Sequence, residues 1–275
     1  GSLTPGEIAT SERRDTSQLM TSYTVAGVDW AGDGWIAVVF RDGSYEECVV
    51  TETFEALWKS DHEFDLMLID VPIGLPGEGT VHEREVVDST AREVSGRPSS
   101  VFPVPSRSAA RKALAEAEYE AVAAQNQSDI DKGLNWQSYY IAAGSGEVDA
   151  ILRTDDQARE VVIEAHPEVC FRGLLGRQLH HSKTSAAGVG ERLQALRDDL
   201  DSPGRVLEEI TENLVDESDA VEIDDVLDAL GLAVTAQKGE DKLEYLPPDW
   251  TRDAEDVPMR MAYWAEEPLV SSTRN

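Results

Sequence analysis

Lysine is the scarcest charge in this chain. Of 275 residues only 6 are lysine, against 18 arginines and 54 aspartates and glutamates, so the formal net charge is −30. No basic stripe follows the sequence, and an electrostatic footprint for a phosphate backbone is missing. Cysteine is nearly absent. Cys48 and Cys170 form no metal or redox motif, exclude a disulfide scaffold, and suit a reducing interior. The histidines His62, His82, His166, His180 and His181 show no zinc spacing, which excludes zinc hydrolases of the HExxH type. No apolar run approaches the ~20 residues of a membrane span. The N-terminus lacks the basic–apolar–small pattern of a signal peptide. The expected location is the cytoplasm.

Hydrophobic residues make up 41%, enough for a sizeable core and not the composition of a disordered chain. Abundant acid with little lysine is the surface of a protein kept soluble in molar salt. At ~1 M the Debye length is ~3 Å, so a large like charge repels itself weakly. The reading is a halophilic, archaeal protein of a high-salt cytosol, against the plainer one of an ordinary acidic protein. In that setting the acidity does not exclude nucleic acid as a partner.

Residues 1–22 are polar and aperiodic and read as a flexible tail, with Gly1-Ser2 resembling a cloning scar and Met20 a natural start. From Tyr23 the pattern is strand: Tyr23–Asp29, a glycine-rich turn over Trp30–Gly34, Trp35–Phe40, a turn at Asp42-Gly43, and Tyr45–Thr51. Tight turns between strands predict an antiparallel meander. Residues 53–60 suit a short helix. Leu66–Val71 is a continuous apolar run, the mark of a strand buried on both faces. Helices are predicted over 84–95 and 107–125, with Gly96–Arg107 a proline-rich loop between them. Residues 128–153 give amphipathic pieces. Glu160–Ala165 reads as a second buried strand. Helices follow over 168–175, 188–200, 204–215 and 223–237. The end is proline-rich, with a last strand at Met259–Trp264. The organisation is one α/β domain over 23–250, a helical insertion around 84–158, and a C-terminal extension over 251–275.

Acids stand where apolar elements end. Asp29 closes a strand before the glycine turn. Asp70 lies inside an apolar strand, as does Glu164. Asp225 and Asp228 share one face of a helix at i and i+3, above a stripe of Leu227, Leu230 and Val234. A carboxylate in a strand core costs several kcal/mol unless it is paired or holds a metal. With lysine so scarce, a hard cation is the ready partner, and Mg²⁺ needs only a few protein carboxylates. Plainer readings stand beside these. Asp29 has the sequence context of a turn initiator. Glu164 has Arg172 as a partner or a turn to cap, and Asp224 reads as a helix N-cap. The combination across separate elements carries the argument, since any one pair among 54 acids is weak.

Five blocks in one order then become recognisable: Gly27–Trp35, Leu68–Pro76, Gly96–Arg107, Glu164-Ala-His-Pro-Glu168 and Asp225–Leu230. Together they resemble the family catalogued as domain of unknown function 429, predicted nucleases with a ribonuclease H-like fold. The family's usual Cys/Gly-rich first turn is here Trp30-Ala-Gly-Asp33, which leaves Asp29 intact. The resemblance implies a five-stranded mixed sheet in the order 3-2-1-4-5, flanked by helices. It also implies acids on the first strand, the fourth strand and the last helix, the places of Asp29, Asp70, Asp225 and Asp228. Glu164 would border that site. By the same analogy Mg²⁺ or Mn²⁺ would be held in a two-metal arrangement. Asp29 would bridge both ions, Asp70 would bind one, and Asp225 with Asp228 the other.

Arg97 and Arg107 flank Ser99 and Ser100 in the proline-rich loop. Arginine forks and hydroxyls bind phosphate, although abundant surface acids are the plainer partners. Lys183 is a further candidate for the substrate. Trp136, Tyr139 and Tyr140 are of the type that stacks bases, but core packing is the expected role. The leading expectation is a metal-dependent nuclease. An actin-like ATP-dependent phosphotransferase is the alternative, since Asp29 precedes a glycine-rich turn, although no second such turn follows. A non-catalytic nucleic-acid-binding module of the same fold is the third.

Overall fold

The computed structural model describes residues 22–31, 34–77, 79–214 and 221–271. The expected tail up to Thr21, and Gly32 and Asp33 of the glycine-rich turn, lie outside the described residues.

Alternation builds the sheet. Along β1 (Thr24–Trp30), Val25 packs into one core layer while Ala26 and Val28 pack into the other. Gly27 and Asp29 therefore share the face of Val25. β2 (Trp35–Arg41) and β3 (Ser44–Thr51) continue as an antiparallel meander. Helix α1 (Phe54–Trp58) follows, capped by the Thr53 hydroxyl. β4 (Leu66–Ile69) then pairs parallel to β1. Five helices come next: α2 (Val81–Ser95), α3 (Arg107–Leu114), α4 (Tyr119–Ile130), α5 (Trp136–Leu152) and α6 (Asp156–Val161). They lead to β5 (Val162–Glu164), parallel to β4. Then come α7 (Pro167–Leu175), α8 (Ala186–Ala195), α9 (Pro203–Leu214) and α10 (Ile223–Ala236). β6 (Glu244–Arg252) and β7 (Pro258–Tyr263) close the chain as a two-stranded ribbon. The large sheet has the order β3-β2-β1-β4-β5. The fold is thus a five-stranded mixed sheet flanked by helices, as expected.

One face of the sheet packs against α2, α7 and α10, the other against α1, α5 and α6. Helix α10 lies directly over β1. A Cβ on Gly27 would sit 2.1 Å from both the Ala229 carbonyl oxygen and the Ala233 nitrogen. Only a residue without a side chain lets the helix backbone come this near.

Four readings change. The helix expected over 107–125 is two helices, α3 and α4, separated by Ala115–Glu118, where Glu116 adopts φ 57°. Glu160 and Val161 belong to α6, so the fifth strand begins only at Val162. The proline-rich end contains β6 as well as β7. Pro247 and Pro248 are tolerated there because the ladder shifts register between Leu246 and Thr251. Helix α10 is buried all round from Val226 to Ala236, wider than the stripe its spacing predicts. Among the described residues, no helix is long and apolar enough to cross a membrane.

Candidate active site

Parallel pairing delivers two acids to one end of the sheet. Val28 pairs with Ile69, and the Asp70 N–H donates to the Val28 carbonyl at 2.9 Å. Asp29 and Asp70 therefore leave adjacent strands at their carboxyl ends, the usual place for a site in an open α/β sheet. Both follow residues of the α10-facing layer by alternation: Val25 and Gly27 before Asp29, Leu66 and Leu68 before Asp70. Helix α10 brings Asp228 to the same place.

The electrostatics are those of crowded acids. Asp29 is buried, and one oxygen accepts the Trp30 N–H at 2.9 Å. Burial raises its pKa well above the carboxylate range, Asp70 and Asp228 raise it further, and Lys183 pulls the other way. Burial also raises Asp70, opposed by His166 and Lys183 and reinforced by Glu164 and Glu168. Asp228 is raised by burial and by Asp70, against the pull of Lys183 and Arg192. It is 2% exposed, and its Oδ1 has no hydrogen-bond partner among the described residues.

Lys183 is the counter-charge. Its Nζ donates to Asp228 Oδ2 at 2.5 Å and lies 3.3 Å from Asp224 Oδ2. Burial works against its charge, but Asp228, Asp29 and Asp224 more than offset this and hold the ammonium protonated. The turn that carries it is fixed by Glu191. That carboxylate accepts from the His180 and His181 N–H groups at 2.9 and 3.0 Å and from Arg177 at 2.6 Å.

The other expected residues divide. Asp225 closes a capping box, accepting the Glu222 N–H at 3.0 Å, so the N-cap is Glu222 and not Asp224. Glu164 borders the site but is committed to Arg84, which donates to its two oxygens at 2.7 and 2.6 Å and also holds Asp88. Arg172, a sequence-based candidate partner of Glu164, donates instead to the Val94 carbonyl. Arg107 is buried between Asp149 and Asp253, turned to structural ion pairs rather than toward a substrate. Arg97 lies 3.5 Å from Glu168. Ser99 is exposed, and Ser100 donates to the Arg97 carbonyl at 2.8 Å.

The aromatic reading is corrected at two of its three residues, since Tyr139 packs against the core of Ala109, Val122 and Leu134 as expected. Trp136 and Tyr140 are 53% and 65% exposed rather than core. They sit on the first turns of α5, where Trp136 stacks on Tyr119.

Three site neighbours escaped the sequence reading. Arg84 lies four residues before Asp88, an i,i+4 pair that was visible but ordinary. His166 follows β5. Its Nδ1 accepts the Glu168 N–H and its Nε2 meets the Ser100 carbonyl at 3.0 Å, which puts the ring proton on Nε2. Arg192 is fully buried against Glu168 and over the Phe171 ring. No local signal marks it, because its partner is 24 residues away.

A cavity of about 80 Å³ reaches Asp70, Ser100, Glu164 and His166 under the proline-rich loop. It adjoins a larger one of about 380 Å³, with Arg84, Asp88, Val101 and Val104 shared between them. Among the described residues, no three His, Cys, Asp or Glu side chains are grouped to enclose a metal ion. The donors nevertheless fit a hard divalent cation in chemistry. Asp29 and Asp228 are buried and Asp70 is half-buried, the three disfavour one another's charge, and Asp228 Oδ1 has no partner among the described residues. Mg²⁺ retains several waters and asks for only one or two protein carboxylates.

Searches of curated proteins and of solved structures return no match. The family profile described as "Protein of unknown function (DUF429)" matches residues 27–252, a span that contains every acid of the cluster, the Lys183 turn and α10. The chain belongs to that family.

Proposed function

We propose that the protein is a metal-dependent phosphodiesterase acting on nucleic acid. The observation that carries this reading is the delivery of Asp29 and Asp70 to one end of the adjacent strands β1 and β4, where Asp70 and Asp228 of α10 both disfavour ionisation of Asp29, on a sheet of order 3-2-1-4-5. These are the positions at which the ribonuclease H-like resemblance expects acids. Asp29, Asp70 and Asp228 would hold Mg²⁺ or Mn²⁺. A bound divalent ion lowers the pKa of its water and stabilises charge on a transferring phosphoryl group. The chain's own groups do the remaining work. Lys183 neutralises part of the acid cluster, so that an anionic substrate can approach it. Glu164, held by Arg84, braces the Pro72–Ile73 bend by accepting the Ile73 N–H at 2.8 Å. His166 ties β5 to the loop at Ser100 and acts as a strut, since both ring nitrogens are engaged.

The test is cleavage of a panel of single-stranded, duplex, hybrid and branched DNA and RNA, in ~2 M KCl with Mg²⁺ or Mn²⁺. Metal-dependent cleavage that disappears in Asp29→Asn supports the reading. A panel left intact, or cleaved equally by the variant, refutes it.

A further inference from the structure

We propose that Lys183 serves as a built-in cation in place of a second metal ion, so that the site takes up a single divalent cation. The inference rests on the nuclease reading and narrows it. By resemblance, the acids of α10 would bind one ion of a pair. In this chain they are already engaged. Asp228 Oδ2 and Asp224 Oδ2 hold the Lys183 ammonium at 2.5 and 3.3 Å, and Asp225 is taken up by the capping box. What remains for a metal is Asp29, Asp70 and the unpartnered Asp228 Oδ1.

Charge points the same way. Lys183 already offsets part of the acid charge at Asp224 and Asp228, the two α10 carboxylates it holds. Less uncompensated charge is left for a second ion to neutralise, in a place where unbalanced charge is costly.

The mounting of Lys183 also fits a resident cation and not a mobile surface side chain. Glu191 pins the turn before Lys183 by accepting from the His180 and His181 N–H groups. A Cβ on Gly188 would lie 1.8 Å from the Ser182 carbonyl oxygen, so α8 packs tightly beneath the turn. A tethered ammonium keeps a high effective concentration whatever the surrounding salt, whereas free cations compete for the acids. This is one of only 6 lysines in the chain.

The experiment counts Mn²⁺ bound to the full chain in ~2 M KCl, by the electron paramagnetic resonance signal of free Mn²⁺ and by calorimetry. We expect one equivalent for the wild type, two for Lys183→Met and one for Lys183→Arg, which keeps the charge. Two equivalents on the wild type, or the same count for wild type and Lys183→Met, overturns the proposal. If circular dichroism shows that Lys183→Met is unfolded, Lys183→Gln replaces it, and the wild-type count still decides between one ion and two. Two ions with nucleic-acid cleavage intact would sink this inference alone. No bound Mn²⁺ on either protein would sink the metal-dependent reading with it.

Discussion

Glu164 is a buried carboxylate on β5, while Asp70 is half-buried just past the end of β4 and not inside that strand as expected, and their surroundings assign them opposite duties. Desolvation, together with Glu164 and Glu168, disfavours ionised Asp70 by more than His166 and Lys183 favour it, so Asp70→Asn removes an unwelcome charge. We expect cleavage to fall by ~100-fold or more, the scale at which even supporting residues of metal sites act. The thermal midpoint in metal-free buffer should stay level or rise. A large drop would make Asp70 a structural acceptor. Glu164→Gln breaks a buried pair with Arg84 and should cost about 3–5 kcal/mol, read by denaturant unfolding. Unchanged stability there would contradict the bracing role. Glu191 gives a pH signature. Burial pushes its carboxyl up, but Arg177 and the His181 and His180 N–H groups outweigh this and hold it at about 2. An unfolded glutamate titrates near 4.3. Its contribution is therefore complete above that value and is lost as pH falls toward about 2. Thermal midpoints measured across this window should fall less steeply in Glu191→Gln, and equal slopes would refute the assignment.

At the scale of elements, the close approach of α10 to β1 is the most exposed to a single change. Gly27→Ala would put a methyl carbon 2.1 Å from helix backbone that has no flexible end to move aside. Overpacking typically costs about 1–3 kcal/mol, and the upper end is expected. Because α10 carries Asp228, the variant should also lose metal affinity beyond its loss of stability. A Gly27→Ala protein with wild-type midpoint and affinity would show that the helix shifts freely. The meander and both buried strands were legible because alternation and apolar runs are local signals. The acids at their ends were legible for the same reason. What escaped was set by partners distant in sequence. Arg107 reads as a phosphate ligand until Asp149 and Asp253 close on it. Trp136 and Tyr140 read as core until α5 turns them outward. The break between α3 and α4 hides in an alanine- and glutamate-rich run that favours helix throughout. Lys183 reads as a substrate contact until the docking of α10 shows its carboxylate partners.

For the molecule as a whole, a net charge of −30 sets the conditions under which it holds together. Self-repulsion is screened within a few ångströms at ~1 M salt. The thermal midpoint should therefore rise between ~0.1 and ~2 M KCl, and a flat response would remove the halophilic reading. Affinity for nucleic acid should depend weakly on salt. Each phosphate contact on duplex DNA contributes a slope of about −0.9 in log K against log salt. With Arg107 buried and Lys183 engaged, a slope worth about three contacts or fewer is expected for Asp70→Asn in Mg²⁺ between ~0.5 and ~3 M KCl. Six or more would reveal a basic surface supplied from elsewhere. The seating of α10 on Gly27 has a further consequence, for the order of events during synthesis. The two touching segments are separated by roughly 200 residues of chain, so their contact is among the last that loop-closure entropy permits. A nascent chain on the ribosome carries Asp29 and Asp70 early but gains Asp228 only when this final helix emerges and docks. The molecule is thus without its full acid cluster, and by our reading without activity, until its fold is essentially complete.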